Sequence, residues 1–303
     1  MESLHDIITR DGRQMALDLG NDRRIVDLAS SYLAQEEAEN SFLYTGFAYV
    51  TLPHRRIADD AVWQINTERA SMVIQPGVRM APDKPAVHVG VPYGSKARMI
   101  MLFLQTEALR RKDREVHLGS SLCSWLEKMG MSIGGKTLID VRNQADRIAR
   151  CRISFEFHGG DTSGLINQNV IDSGIFTTES NRAKFLDRVI LSETFYAQLV
   201  RHPFPIDEAA IKLLSGHSQA LDIYCWLSYR LHVLKKPTPI SWNALKVQFG
   251  NSVGKLSHFK KNFLDNLEVA CAVYPGAKVH ASDTGLTLYP SRSPVQPKIY
   301  AVK

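Results

Sequence analysis

Apolar residues recur at three-and-four spacing in several stretches, and each such stripe predicts a helix with one face in a core. Ile25, Leu28, Ala29, Tyr32 and Leu33 mark a helix from Asp22 to about Glu39, after a loosely attached arm over residues 1–21. Tyr93–Lys112 begins as a buried helix and ends in Arg110-Arg111-Lys112. Leu138, Val141, Ala145 and Ile148 form the stripe of a helix over Lys136–Arg150. Ala220, Tyr224, Leu227, Leu231 and Leu234 align in Ser218–Leu234, and Leu256, Phe259, Phe263 and Leu267 align in Lys255–Ala270. Alternation predicts strands elsewhere. Val62–Gln75 reads as a hairpin around Thr67-Glu68-Arg69, and Pro76-Gly77 with Pro82–Pro85 breaks it into a loop. Ser41–Thr51 is aromatic and β-prone, and Glu115–Leu118 and Val189–Glu193 are short strands.

The order of these elements is more informative than any one of them. A short helix (Ser121–Met129), a glycine-rich turn (Gly130–Gly135), the helix Lys136–Arg150 and a strand (Cys151–Phe157) follow one another. The segment His158–Gln168 reads as the loop of a wing whose return strand is Val170–Phe176. The arrangement recurs: Pro237–Ile240 is extended, Ser241 caps a helix through Phe249, Gly250–Gly254 turns, and Lys255–Ala270 is helical. Strands at Cys271–Tyr274, Val279–Ala281 and Leu286–Leu288 follow. Trp125…Met129-Gly130 parallels Trp242…Phe249-Gly250. The expected fold is therefore α+β, with two tandem winged-helix (winged helix-turn-helix) domains. Residues 1–40 form an N-terminal arm and helix, 41–180 the first domain, 181–292 the second and 293–303 a tail, with the boundary at Thr177–Ala183.

Charge sharpens this picture. The 303 residues carry a formal charge of +6, which favours a polyanionic partner. On the polar side of the first basic helix lie Lys136, Asp140, Asn143, Arg147 and Arg150, with Arg142 at its edge. On the second lie Lys255, Ser257, His258, Lys261, Asn262 and Asp265. A helix with one face in a core and the other bearing Arg, Lys and Asn fits a major groove, where Asn pairs with adenine and Arg with guanine. The candidate DNA-binding residues are thus Lys136, Arg142, Asn143, Arg147, Arg150, Lys255, His258, Lys261 and Asn262; Lys mostly grips phosphate. Near the second wing, Lys278, His280 and Arg292 read equally well as backbone contacts or as ordinary surface charge.

Competing chemistry is sparse. Gly130-Met131-Ser132-Ile133-Gly134-Gly135-Lys136-Thr137 fits the phosphate-loop pattern, but that loop needs a buried strand before it. Ser124–Met129 reads instead as a polar-faced helix, so the motif reads as a turn where two helices cross. No HExxH, Cys/His zinc spacing or His-x-His pair occurs, so no catalytic residue, metal or cofactor is expected and the chain reads as a non-enzyme. Cys123, Cys151, Cys225 and Cys271 lie far apart in apolar contexts, which reads as reduced core thiols in a cytosolic protein. The polar start Met1–Asp6 reads as no secretory signal, and the longest apolar run, Met99–Leu104, is too short to span a bilayer.

Several runs carry a family resemblance. They are Tyr44-Thr45-Gly46-Phe47-Ala48, Val91–Arg98, Leu104–Ala108, Arg147–Arg152, Ala220–Leu227 and Pro237–Trp242. Over about residues 22–292 the chain resembles the RepA-type plasmid replication initiators of Gram-negative bacteria. That resemblance implies an origin-binding protein of two winged-helix domains that binds direct repeats (iterons) in duplex DNA. It also implies opening of adjacent AT-rich DNA, recruitment of the host helicase and initiation machinery, a homodimer through the first domain, and repression of its own promoter. A transcriptional repressor on the same scaffold, without an initiation role, is the alternative.

Overall fold

Helices and strands are interspersed along the whole chain. The computed structural model describes residues 3–35, 39–81, 83–118, 121–159, 162–178 and 184–295. The chain opens with helices α1 (Leu4–Asp18) and α2 (Arg23–Leu33), then strand β1 (Asn40–Tyr44) and a single turn α3 (Gly46–Tyr49). Two hairpins follow, β2 (Trp63–Asn66) with β3 (Ala70–Gln75), and β4 (Gly77–Ala81) with β5 (Lys84–Gly90). Next come α4 (Gly94–Arg111), β6 (Glu115–His117), α5 (Leu122–Lys128) and α6 (Gly135–Arg150). The strands β7 (Arg152–Gly159), β8 (Thr162–Asn169), β9 (Ile171–Thr178) and β10 (Lys184–Leu191) complete this half. The remainder is α7 (Glu193–Arg201), β11 (Pro203–Asp207), α8 (Glu208–Leu213), α9 (Ser218–Leu231), β12 (Thr238–Ser241), α10 (Trp242–Phe249), α11 (Leu256–Ala272), β13 (Val279–Ala281) and β14 (Gly285–Leu288).

All strand pairs are antiparallel. The orders are β2-β3-β7-β8, β6-β10-β9, β12-β14-β13, β1-β11 and β4-β5. Several helices start at a side-chain cap, though α4, α6, α9 and α11 start without one. Asp22 accepts from the amides of Arg24 and Ile25, Ser121 from Ser124, Ser192 from Phe195, Asp207 from Ala209 and Ser241 from Ala244. α4 stops at Lys112, which sits in the left-handed region at φ 55° and breaks the ladder.

One apolar cluster runs from Ile25 to Leu288 through both halves. The elements that carry it cross the middle of the chain. β1 pairs with β11 along five residues, and its amides at Phe42 and Tyr44 donate to Thr106 Oγ1 (2.9 Å) and Gln105 Oε1 (2.8 Å) of α4. That explains why Gln105 and Thr106 are buried on a core helix: they satisfy strand amides that would otherwise be orphaned. Arg98 of α4, 6% exposed, donates twice at 2.6 Å to the Asp222 carboxylate of α9. Thr51 Oγ1 donates to the Gln248 carbonyl and Gln248 Nε2 to the Ala48 carbonyl, which ties α10 to the end of α3.

Several sequence expectations are corrected. The arm at 1–21 is largely α1, kinked at Gly12 (φ 85°), with Ala16 buried and His5 Nε2 at 2.9 Å from the Ala272 carbonyl. The loop expected after Gln75 is the β4–β5 hairpin. The wing loop expected at His158–Gln168 is mostly strand, because β7 pairs with β8 from Arg152↔Asn169 to Gly159↔Thr162. Ile171–Thr178 then leaves that sheet and pairs with β10 instead. Cys271–Tyr274 is not a strand, since α11 continues through Ala272. Of the expected boundary, Thr177 and Thr178 end β9, and residues 179–183 lie outside the described residues. No described helix is long and apolar enough to cross a membrane. The four thiols are unpaired, and burial pushes that of Cys151 up to about 12.

Candidate nucleic-acid interface

Two helix–turn–helix units precede hairpins: α5, Gly130–Gly134 and α6 before β7–β8, and α10, Gly250–Lys255 and α11 before β13–β14. In the first unit the turn closes α5. The amide of Gly130 donates to the Glu127 carbonyl and that of Met131 to the Leu126 carbonyl, each at 2.9 Å, with Gly130 at φ 65°. Those amides are therefore committed to ending a helix, and a helix rather than a buried strand leads into the phosphate-loop pattern.

α6 is open over its first half and again at its last residue, Arg150, and is buried in between. Lys136, Ile139 (66% exposed) and Asn143 face solvent, and Arg142 is partly buried off that face. The second half is covered by the β4–β5 hairpin and by the loop that carries Asp59. Arg147, expected to read bases, is 2% exposed. Its Nη2 donates to Asp59 Oδ1 (2.9 Å), its Nη1 to the Val91 carbonyl (3.1 Å) and its Nε to Asn143 Oδ1 (2.7 Å). The guanidinium also lies over the Tyr93 ring, 5.1 Å from its centre. Arg150 donates to Asp146 Oδ1 (2.8 Å) and to the Val78 carbonyl (3.3 Å), and Arg79 of the hairpin also pairs with Asp146. Arg56, and after it Arg147, hold the Asp59 carboxyl below its usual range. Arg147 is thus corrected from a DNA contact to an internal clamp, because its guanidinium is buried and held by Asp59, the Val91 carbonyl and Asn143, out of reach of a base. Arg150 is tied down on the same side. The hairpin fits closely: a Cβ at Gly77 would come 2.1 Å from the Arg150 carbonyl oxygen, so only glycine allows this approach.

α11 presents a different surface. Phe259, Phe263, Leu267 and Ala270 are buried, and Lys255, His258, Lys261 and Asn262 are all exposed. Asn262 Nδ2 donates to Gln219 Oε1 at 2.9 Å, which fixes its amide at the edge of the open face. Lys260 bonds the Asp283 carbonyl (2.9 Å) and lies 5.5 Å from the centre of the Trp242 ring, so it joins α11 to the β13–β14 turn. Asn251 in the α10–α11 turn donates to the Gln64 carbonyl of β2. His258 and Asn262 share a cavity of about 370 Å³ with His54, Arg55 and Ser252. The sequence reading passed over Arg55. Its signal was the run His54-Arg55-Arg56 directly after Pro53, a basic cluster in a loop.

A comparison with curated proteins finds no match. Among solved structures, a selenomethionine derivative of domains 2 and 3 of RctB matches with a TM-score of 0.53 at 11% identity, over 84% of this chain and 99% of that one. Another structure of RctB domains 2–3 gives 0.45 at 9% identity, over 79% and 85%. The first likeness is one of fold. The family described as "Plasmid encoded RepA protein" matches residues 91–244, which is 154 of the 303 residues and runs from the end of β5 into α10, through α6 and its clamp. With that match the resemblance read from the sequence is met on more than half of the chain, and the chain belongs to the plasmid encoded RepA protein family.

Proposed function

We propose that this protein binds repeated sequences in duplex DNA at a plasmid origin and initiates replication there, without catalysis of its own. Each helix–turn–helix with its hairpin acts as a winged helix, one in residues 41–180 and one in 181–292. α11 enters a major groove as the main reading helix. The first half of α6, with Lys136 and Asn143, meets a neighbouring groove. The observation that carries this reading is the open face of α11, where Lys255, His258, Lys261 and Asn262 stand together with no carboxylate paired to them among the described residues. Lys261 and Lys255 grip phosphate, and Asn262 and His258 stand where base edges pass. Autoregulation, a homodimer through the first domain, recruitment of a host helicase and a cytoplasmic site of action belong to the same proposal.

Footprinting on the DNA that flanks the gene tests it. Protection of repeats, lost in Lys261→Ala/Asn262→Ala but retained in Arg147→Lys, is the expected result. No protected repeat would refute sequence-specific binding. Protected repeats in a plasmid with no other origin that fails to replicate would reduce the role to repression.

A further inference from the structure

A cleft of about 550 Å³ lies where the β2–β3 turn of the first half meets α9, β12 and α10 of the second. Two arginines line it. Arg69 stands exposed at the hairpin tip, and Arg230 projects from the last turn of α9 with its Nε enclosed and without a hydrogen-bond partner. Burial first, and then the nearby Arg69 charge, lower the pKa of Arg230. Among the described residues neither arginine has an ion-pair partner, although Glu68 also lines the cleft. The other enclosed arginines are treated differently: Arg98 is matched by Asp222 and Arg147 by Asp59.

A half-buried guanidinium beside a second one is costly unless an anion completes it. Two like charges call for a dianion, since a single carboxylate would leave one unmatched. The guanidinium fork matches phosphate oxygens in pairs. The N-terminal turn of α10, with Ser241 and Ala244 on the cleft wall, adds partial positive charge. Tyr49, Ile240 and Val247 also line the cleft and offer apolar surface.

We propose that this cleft binds a phosphate-bearing ligand of about nucleotide size, clamped by Arg69 and Arg230 and held along its organic part by Tyr49, Ile240 and Val247. The phosphate has two sources with the same chemistry, a free nucleotide or a nucleic-acid backbone. The site is separate from the open face of α11 and does not depend on recognition of any base sequence.

The test uses the full chain. Isothermal titration with AMP and with inorganic pyrophosphate is run on the native protein and on Arg69→Gln, Arg230→Gln and the double variant. Salt dependence of binding to a duplex of arbitrary sequence is measured alongside. Binding of either small ligand, weakened at least roughly tenfold by each substitution, supports a free nucleotide, as the loss of one charge-assisted contact predicts. No heat with either ligand, but a slope of log K against log salt shallower by about 1–2 in the double variant, assigns the site to a nucleic-acid backbone. Unchanged titrations in the variants, or silence in both assays, overturn the proposal. Arg69 is exposed, so Arg69→Gln decides alone if Arg230→Gln unfolds. Lys136→Ala must leave the titrations unchanged, because loss there would put the ligand on the glycine-rich turn instead. Because the duplex is arbitrary, failure of repeat recognition leaves this test intact.

Discussion

Replacing Asp222 with Ala strands a buried cation. Arg98 is 6% exposed, and its two 2.6 Å bonds to Asp222 are the charged part of its environment. The rest are carbonyls, Leu52 at 2.7 Å, Gly94 at 2.9 Å and Pro53 at 3.2 Å, and the His54 ring, whose Nδ1 lies 3.3 Å from Arg98 Nη2. Removing one partner of a buried pair costs roughly 3–5 kcal/mol, because the remaining charge stays desolvated. The three carbonyls survive the substitution and continue to solvate the guanidinium, so the low end, about 3 kcal/mol, is expected. At roughly 2 °C per kcal/mol for a long chain, Tm should fall by about 6 °C. Urea unfolding followed by circular dichroism reads the same loss as a shift in midpoint with an unchanged slope. The paired change Arg98→Met/Asp222→Leu removes both charges but also the donor to the Leu52 and Pro53 carbonyls, so it should recover only part of the loss. An Asp222→Ala protein as stable as native, or a double variant worse than the single one, would refute the assignment of this pair as the charge balance between α4 and α9.

Other expectations follow from the same geometry. Burial, reinforced by Arg98 and opposed by Asp222, lowers His54 from its ordinary 6.5 to about 4. Its folded pKa lies below the unfolded one, so the unfolded chain takes up the extra proton between these values. The stability due to neutral His54 is complete above about pH 6.5 and is lost as pH falls toward 4, and His54→Gln should flatten that part of a Tm–pH curve. Gly77→Ala should lift the β4–β5 hairpin off α6 at a cost of about 1–3 kcal/mol, seen as faster proteolysis between Gly77 and Gly90. Under the proposed function, Lys261→Ala should make the salt slope of duplex binding shallower by about 1 and weaken all sequences alike. Asn262→Ala should cost about 1–3 kcal/mol at one base position only; equal losses on every sequence would remove it from base reading.

The long helices were legible because their packing is written in their own spacing. Leu138, Val141, Ala145 and Ile148 are buried or partly buried in α6, and Phe259, Phe263 and Leu267 are buried in α11. What the chain does between helices was less legible. Pro76-Gly77 and Pro82–Pro85 look like breakers, yet Pro85 lies within β5, in a two-stranded ribbon whose outer edge needs no amide donor. β8 reads as a polar loop from Gly164, Asn167 and Gln168, and becomes a strand only because β7 offers a pairing edge. Arg147 shows the same limit at the candidate site. Its position on the helical wheel is polar, and periodicity reports polarity rather than exposure. The carboxylate that claims it, Asp59, is 88 residues away in sequence, so only tertiary structure brings them together.

That burial makes the two helix–turn–helix units physically unequal. Much of the charge on α6 is already paired: Arg147 on Asp59 in the interior, and Arg150, at the surface, on Asp146, with Arg79 of the hairpin on the same carboxylate. On α11 Lys255, His258 and Lys261 keep their charge or ring at the surface, and the inward side is aromatic. A polyanion approaching both units would thus meet its stronger attraction at α11. β1–β11, Arg98–Asp222 and Gln248–Ala48 link the halves through backbone and buried contacts. Reaching the hidden guanidinium of Arg147 would therefore need the hairpin to leave, which breaks ion pairs and a close glycine contact within the first half while the links to α11 remain.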